Sequence, residues 1–259
     1  MNSPIGIIDS GVGGLSVMSA LIKNLPNESF IYIADSKNCP YGKRTQQKIY
    51  KLSRRMVKFL LQRKVKLVVI GCNTITVSSI DKLRKDFSDI PIVGIVPVIK
   101  TAVQCSISKK IGIFSTLHTA ESGYQKALIE KFAKDCRVIN IGSSDLVSLI
   151  ENLDFEAMDD ILIKELQPFM AEKIDTLVLG CSHFPLIKDK IQKYLPNVLI
   201  LDSGEAVTRQ VERILEHNNI LSNLTNPSYY FYTTGNSNAL RYLANKLTTK
   251  GKIERISLQ

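Results

Sequence analysis

Val68-Val69-Ile70-Gly71-Cys72-Asn73-Thr74 is an apolar run that reads as a buried strand and ends in a thiol. The same frame returns a hundred residues later as Leu177-Val178-Leu179-Gly180-Cys181-Ser182-His183. Each run stops at Gly-Cys followed by two small or polar residues, so each thiol is delivered to the mouth of a sheet. A buried cysteine is commonly just a small hydrophobe, and a single Gly-Cys would be read that way. The repeated frame favours chemistry: one site built from two halves, with an acid and a base on opposite faces of a small molecule. That is the geometry for inverting a stereocentre.

Outward from these two runs the chain keeps one rhythm. Strand candidates are Ile5 to Ile8, Phe30 to Ile33, Leu67 to Ile70, Ile92 to Ile95, Ile111 to Phe114, Val138 to Ile141, Thr176 to Leu179, Val198 to Leu201 and Tyr229 to Thr233. Between them lie segments of helical spacing, among them Leu15 to Leu25, Gln46 to Gln62, Val77 to Phe87, Ser122 to Phe132, Asp159 to Glu172 and Ala206 to Glu216. Apolar strands alternating with helices predict an α/β fold of mainly parallel sheets flanked by helices. Asp9-Ser10-Gly11 and Gly71-Cys72 early, then Gly180-Cys181 and Asp202-Ser203-Gly204 late, look like a weak internal duplication, although motifs this short also recur by chance. Two similar lobes are expected, 1–95 completed by 208–259, and 96–207. Ligands of open α/β sheets sit beyond the carboxyl ends of the strands, where all four motifs fall, so the cleft between the lobes is the expected site.

The 259 residues are enough for a full core, and 44% hydrophobic with 22% charged residues is ordinary for a globular chain. The N-terminus shows no basic start followed by an apolar stretch, and no segment reaches the ~18 apolar residues of a membrane span. A cytoplasmic protein with no membrane partner is expected. Five cysteines without paired spacing suggest neither a disulfide framework nor a zinc site, and His118 and His217 show no ligand spacing with His183, so no metal is expected. The formal charge of +10 raises nucleic acid as a partner. Much of it, however, lies on one segment carrying Lys48, Lys51, Arg54, Arg55 and Lys58 opposite Ile49, Leu52, Met56, Phe59 and Leu60, the pattern of a solvated amphipathic helix. Nucleic acid is therefore not the expected partner, although the charge can draw in small anions.

Asp9-Ser10-Gly11-Val12-Gly13-Gly14 follows the first strand, but Ser16 stands where a dinucleotide fingerprint needs glycine, and no Gly-Lys-Ser/Thr follows. Its backbone N–H groups can still hold a carboxylate. Asp9 is placed to bind an ammonium group or orient a thiol, or else to cap the first helix. Cys39-Pro40-Tyr41-Gly42 has the composition of either a turn or a ligand loop, with Tyr41 as a rigid amphipathic wall. A helix N-terminus or nearby cation would tune Cys72 and Cys181 towards the thiolate. Asn73, Thr74, Ser182 and His183 can hydrogen-bond a carboxylate, and His183 can tune Cys181. Cys39, Cys105 and Cys136 stand in unrelated contexts and read as incidental.

Taken together, Gly6 to Ser16, Ala34-Asp35 with Cys39-Pro40-Tyr41-Gly42, Gly71-Cys72-Asn73-Thr74 and Leu179 to Leu186 resemble glutamate racemase, in order and over nearly the whole chain. The resemblance implies a cofactor-independent enzyme of the aspartate/glutamate racemase superfamily, with two similar α/β lobes, that supplies D-glutamate for peptidoglycan and forms a homodimer. It puts the catalytic pair on Cys72 and Cys181, the first serving D-glutamate and the second L-glutamate. It also puts substrate-binding positions on Asp9, Ser10, Tyr41, Gly42, Asn73, Thr74, Ser182 and His183, with Pro40, Thr119 and Glu151 as further candidates. Ser182 stands where the family usually has threonine and Phe184 where tyrosine is common; the Thr116 to Tyr124 segment is one residue short; Cys39 adds a thiol the family does not require. No long N-terminal extension precedes the first strand, so regulation by a cell-wall precursor is not expected. A racemase for aspartate or another small amino-acid-like substrate, or a non-catalytic amino-acid-binding or nucleic-acid-binding protein, would share much of this pattern. Substrate preference separates the first, and salt-dependent DNA retention without isotope exchange the second.

Overall fold

The computed structural model describes residues 2–143, 145–247 and 251–258. The chain opens with β1 (Ile5–Asp9), α1 (Leu15–Asn24), β2 (Phe30–Ala34), α2 (Gln46–Leu61), β3 (Leu67–Ile70), α3 (Asn73–Asp86), β4 (Ile92–Gly94) and α4 (Ile99–Cys105). It continues through β5 (Lys110–Thr116), α5 (Leu117–Glu121), α6 (Gly123–Phe132), β6 (Arg137–Ser143), α7 (Leu146–Glu151), α8 (Met158–Glu172), β7 (Thr176–Gly180), α9 (Lys188–Tyr194) and β8 (Leu199–Leu201). It then closes with α10 (Gly204–His217), β9 (Tyr229–Thr233), α11 (Asn238–Leu247) and β10 (Lys252–Arg255). Two sheets result, one in the order β10-β9-β2-β1-β3-β4 and one in the order β6-β5-β7-β8. Every pairing is parallel. This is the two-sheet α/β architecture that the alternating pattern predicts.

The central strands β1, β2, β3 and β7 are buried along their whole length, the reason they read as unbroken apolar runs rather than alternating ones. Nine strands coincide with the β-branched runs. The tenth, β10, is built from Lys252-Ile253-Glu254-Arg255, a charged edge strand with one apolar residue and no hydrophobic signal of its own. One apolar cluster runs from Ile5, Ile7 and Phe30 of the first sheet to Phe114, Leu177 and Leu179 of the second. The chain's return between α10 and β9 is pinned by a buried pair, Lys66 Nζ to Glu28 at 2.7 Å, with Lys66 also donating to Ile220 O.

Register decides what meets at the sheet mouths. Ile8 lies opposite Ile70, and Asp9 opposite Ala34, so the residues after β1, β2 and β3 leave the first sheet at one level. In the second sheet Ser115 lies opposite Gly180 and Thr116 opposite Ser143, so Thr116 and Cys181 emerge together. Helix α3 begins at Asn73, four residues before the apolar spacing announces it, because Asn-Thr-Ile-Thr is a poor helix-forming run. Tertiary burial overrides that weak propensity: Asn73, Thr74, Ile75 and Thr76 are all buried, and the Thr76 hydroxyl donates to Cys72 O at 3.1 Å. Cys72 is thereby fixed at the helix N-cap position. The basic helix α2 buries Ile49, Leu52, Met56 and Leu60 and turns Lys48, Lys51, Arg55 and Lys58 to solvent, as its pattern predicts.

Candidate active site

The loop after β1 carries three glycines for reasons of space. A Cβ on Gly11 would collide with the Glu151 carboxylate, one on Gly13 would lie 2.5 Å from His183 Nδ1, and one on Gly14 2.9 Å from Asp9 Oδ2. The loop does hold carboxylates, and they are the chain's own: Gly11 N–H donates to Asp9 Oδ1 at 2.8 Å and Val12 N–H to Glu151 Oε1 at 2.6 Å. Asp9 does not cap α1, whose N-cap is Gly14 with no side-chain bond. Its second oxygen accepts instead from Ser182 Oγ at 3.0 Å, tying β1 to the end of β7. Ser16 Oγ adds a bond to Ser182 O at 3.0 Å across the same seam.

Cys72 and Cys181 line one small, nearly closed cavity, together with Ser10, Asn73, Thr74, Ser182 and His183. Pro40, Tyr41, Gly42, Thr116 and Val147 complete the wall. Both thiols are buried and free. Cys72 Sγ lies 3.6 Å from Ser10 Oγ, whereas Cys181 Sγ lies 3.9 Å from His183 Nδ1. The other His183 nitrogen donates to Glu151 Oε1 at 2.6 Å. Asn73 Nδ2 is buried with no hydrogen-bond partner among the described residues, a donor free to meet an acceptor in the cavity.

Three expected residues stand behind the wall. Glu151 backs His183, Asp9 backs Ser10 and Ser182, and Thr119 backs Thr74 and Thr116 through a set of three hydroxyls 3.0 to 3.4 Å apart. Tyr41 spends its hydroxyl on the buried Asp35, at 2.5 Å, and so offers the cavity its ring. Two residues escaped the sequence reading. Val147 from α7 is an apolar wall with no chemical signature. Cys39, read as incidental, in fact lies with Glu151 and His183 so that one ligand atom from each falls within 4.8 Å of the others. That donor set has the residue types of a metal centre, but Glu151 Oε1 already accepts from both Val12 N–H and His183.

The two thiols differ in their electrostatics. Burial, then the Asp9 charge, pushes Cys72 up to about 12, outweighing a backbone donor from Ile75 and the Ser10 hydroxyl. Its position at a helix N-terminus therefore does not make it a resting thiolate, contrary to the expectation from its position. Cys39 is likewise pushed up to about 12, chiefly by burial. Burial pulls His183 down, but hydrogen bonds to Cys181, Cys39 and Glu151 and the Glu151 charge override it, holding the imidazole well above its ordinary range and thus protonated at neutral pH. Burial raises Asp9 to about 6 against the opposing pull of His183.

Two parallel sheets presenting a pair of buried thiols to one small cavity define a cysteine-dependent isomerase type of site, and the comparisons narrow it. A family model for Asp/Glu/hydantoin racemases matches residues 5–211. A glutamate racemase of Pseudomonas putida is 35% identical over 99% of this chain and 98% of its own. The crystal structure of a glutamate racemase isoform from Bacillus anthracis superposes with a TM-score of 0.89 at 33% identity, covering 99% of this chain and 98% of that one. The Francisella tularensis glutamate racemase, solved in complex with D-glutamate, gives 0.86 at 30% identity over 100% and 98%. The chain belongs to the Asp/Glu/hydantoin racemase family.

Proposed function

We propose that the chain is a cofactor-independent glutamate racemase that interconverts L- and D-glutamate by proton transfer through Cys72 and Cys181. The observation that carries this reading is that both thiols line one buried cavity, each delivered by its own sheet and each facing a different partner. One sulfur, as thiolate, takes the Cα proton; the C–H bonding pair stays on carbon as a carbanion conjugated with the carboxylate. The opposite thiol gives its proton to the other face, so the stereocentre inverts and the two sulfurs exchange protonation states. Cys181 serves L-glutamate and Cys72 D-glutamate, an assignment taken from the family resemblance.

An amino acid's α-carbon is a weak acid, so donors must stabilise charge developing on the substrate carboxylate. Asn73 Nδ2, buried without a partner among the described residues, is the foremost candidate, with the hydroxyls of Ser10, Thr74 and Ser182 around it. His183, held protonated against Glu151, places a positive donor beside Cys181 as negative charge appears on that sulfur. Asp9, Tyr41, Gly42, Pro40, Thr119 and Glu151 act as walls or as supports of those groups. The wall side chains of Ser10, Cys72, Asn73, Thr74, Cys181, Ser182 and His183 are all buried, so substrate entry requires the halves to part. Lobes 1–95 with 208–259, and 96–207, are the bodies assigned to that motion.

The family resemblance further supports a homodimer working in the cytoplasm to supply D-glutamate for peptidoglycan. No helix among the described residues is long and apolar enough to cross a membrane. The deciding experiment follows α-deuterium exchange from solvent into L- and D-glutamate by NMR, with circular dichroism for inversion, on protein freed of pyridoxal phosphate. Exchange with inversion is expected for glutamate. Faster turnover of aspartate would reassign the substrate, and dependence on added cofactor would sink the mechanism. Sedimentation velocity tests the dimer.

A further inference from the structure

Two seams join the halves 1–95 with 208–259 and 96–207 around the catalytic cavity, and they differ in kind. At the first, Val12 and Leu15 share one apolar cluster with Val147, Ile150 and Phe184. The bonds of Asp9 and Ser16 to Ser182, and of Val12 N–H to Glu151, lie along it at 2.6 to 3.0 Å. Parting this seam would expose apolar surface as well as break buried bonds. At the second seam, α3 and the turn at Tyr41–Lys43 meet α5 without a shared apolar cluster among the described residues. The cluster that holds Ile75, Ile80 and Leu83 of α3 draws every member from the first half, and the one that packs Leu128 and Ile129 of α6 draws every member from the second.

What crosses the second seam is polar. Thr74 on α3 meets Thr116 and Thr119 at 3.1 and 3.4 Å. One turn farther along the same face of α3, Ser78 Oγ meets His118 Nε2 at 2.8 Å. Gln46 Nε2 donates to Ser78 O at 2.8 Å and braces that turn of α3 against α2. Lys43 and Asp145, both more than half exposed, also pair between the halves at 3.5 Å, a contact that contributes little. Outside the Ser78–His118 bond lies a cleft open to solvent, walled by Gln46, Ser78, His118, Glu121, Ser122 and Tyr124. Groups released by breaking this seam are ones that water can satisfy.

We propose that the catalytic cavity opens at the seam between α3 and α5, with the Ser78–His118 hydrogen bond as the latch that holds it shut and the apolar seam as the hinge. From solvent inwards run the cleft, the latch, the three threonine hydroxyls and then Asn73 and Cys72 in the cavity wall. Ser78 and His118 line the outer cleft and not the catalytic cavity, so they gate access and touch no reacting atom. That the opening admits glutamate rests on the racemase reading, whereas the latch itself does not.

Alkylation of the unliganded whole protein by iodoacetamide at one pH, resolved peptide by peptide by mass spectrometry, reads the opening. Cys72 and Cys181 are buried in the cavity and react through its open form. His118→Ala and Ser78→Ala should each speed alkylation of both thiols about fivefold, the loss of one net hydrogen bond. Combining them should add nothing further, since the two side chains make one contact. His118→Gln, which keeps a polar atom near the position of Nε2, should restore the slow rate. Cys136 packs against the second half's own cluster and should react at the wild-type rate throughout. Ser16→Ala, on the apolar seam, should leave both cavity thiols as slow as in the wild type. Unchanged rates in His118→Ala, or additive effects in the double variant, overturn the latch. Acceleration of Cys136 along with the cavity thiols would mean a general loosening and overturns it as well. Acceleration by Ser16→Ala equal to that by His118→Ala overturns the division into hinge and mouth. A protein whose latch variants behave as expected but which exchanges no α-proton refutes the racemase reading and leaves the latch standing.

Discussion

The two thiol stations share a sequence frame and differ in everything around it. Cys72 stands at the N-cap position of α3, touches Ser10 and feels the negative charge of Asp9. Cys181 is followed by a short 3-10 turn at Phe184–Ile187 and faces a protonated His183 backed by Glu151. One sulfur has an anionic neighbour and the other a cationic one. A single proton passing between the two sulfurs therefore meets a different electrostatic surrounding at each end, Asp9 beside Cys72 and His183 beside Cys181. Identical frames deliver the atoms, and neighbours from other elements assign their roles.

The strongest blow to this comparison is removal of either sulfur. Cys72→Ala and Cys181→Ala should each lower racemisation at least about 10⁴-fold, measured by circular dichroism. Cys72→Ser and Cys181→Ser should instead retain slow α-deuterium exchange with one enantiomer each, and with opposite enantiomers. Normal turnover in both alanine variants would sink the two-base mechanism, and exchange with the same enantiomer in both serine variants would erase the distinction between the stations.

Next in size is His183→Asn, which takes the positive donor from beside Cys181. A loss of kcat of about 10²-fold is expected. The two enantiomers are equal in energy, so kcat/KM must stay equal in both directions and cannot report the asymmetry. The primary isotope effect can: α-deuterated L-glutamate should show a larger effect in the variant than in the wild type, and D-glutamate should change less. Equal increases for both would mean that His183 serves the cavity as a whole.

The strands, their parallel pairing and the delivery of both thiols were legible because apolar runs and their punctuation are local. The inequality of the stations was not. Glu151 reaches the loop after β1 from α7, 139 positions away; the family resemblance named it as a candidate, but nothing local in the sequence shows that it backs His183 or fills the space left by the missing Cβ of Gly11. Cys39 looked incidental because its neighbours are distant in sequence, and Val147 because an aliphatic residue has no signature. The raised pKa of Cys72 was missed for a physical reason: a helix N-terminus is readable from spacing, but burial and the approach of Asp9 outweigh it.

A smaller effect sharpens the Cys72 side. Asp9 is raised to about 6 chiefly by burial, so the folded protein binds this proton more tightly than the unfolded chain. The stability gained in this way is complete below the ordinary carboxylate pKa and is lost as pH rises through about 6. Asp9→Asn, neutral throughout, lacks this loss. Between pH 4 and 7 the variant should gain roughly 2 kcal/mol relative to wild type, read from urea unfolding at a series of pH values. The constant offset includes the lost acceptor for Ser182 or Gly11, so the slope is the test. Parallel pH profiles would mean that Asp9 is not charged against its burial.

The smallest expected effect lies where both halves touch without either thiol. Thr119 is fully buried and meets Thr74 from α3 and Thr116 from the end of β5, so its hydroxyl joins the first sheet's helix to the second sheet's mouth. Thr119→Val preserves the shape and removes those bonds, leaving Thr74 and Thr116 to pair with each other at their present 3.1 Å. The cost should be about 1 kcal/mol of stability. KM for glutamate should rise a few-fold with kcat nearly unchanged, because the residue positions two wall hydroxyls and touches no reacting atom. A kcat loss approaching that of His183→Asn would put Thr119 in contact with the reacting atoms and make the seam between the halves, rather than the two stations, the place where their difference is set.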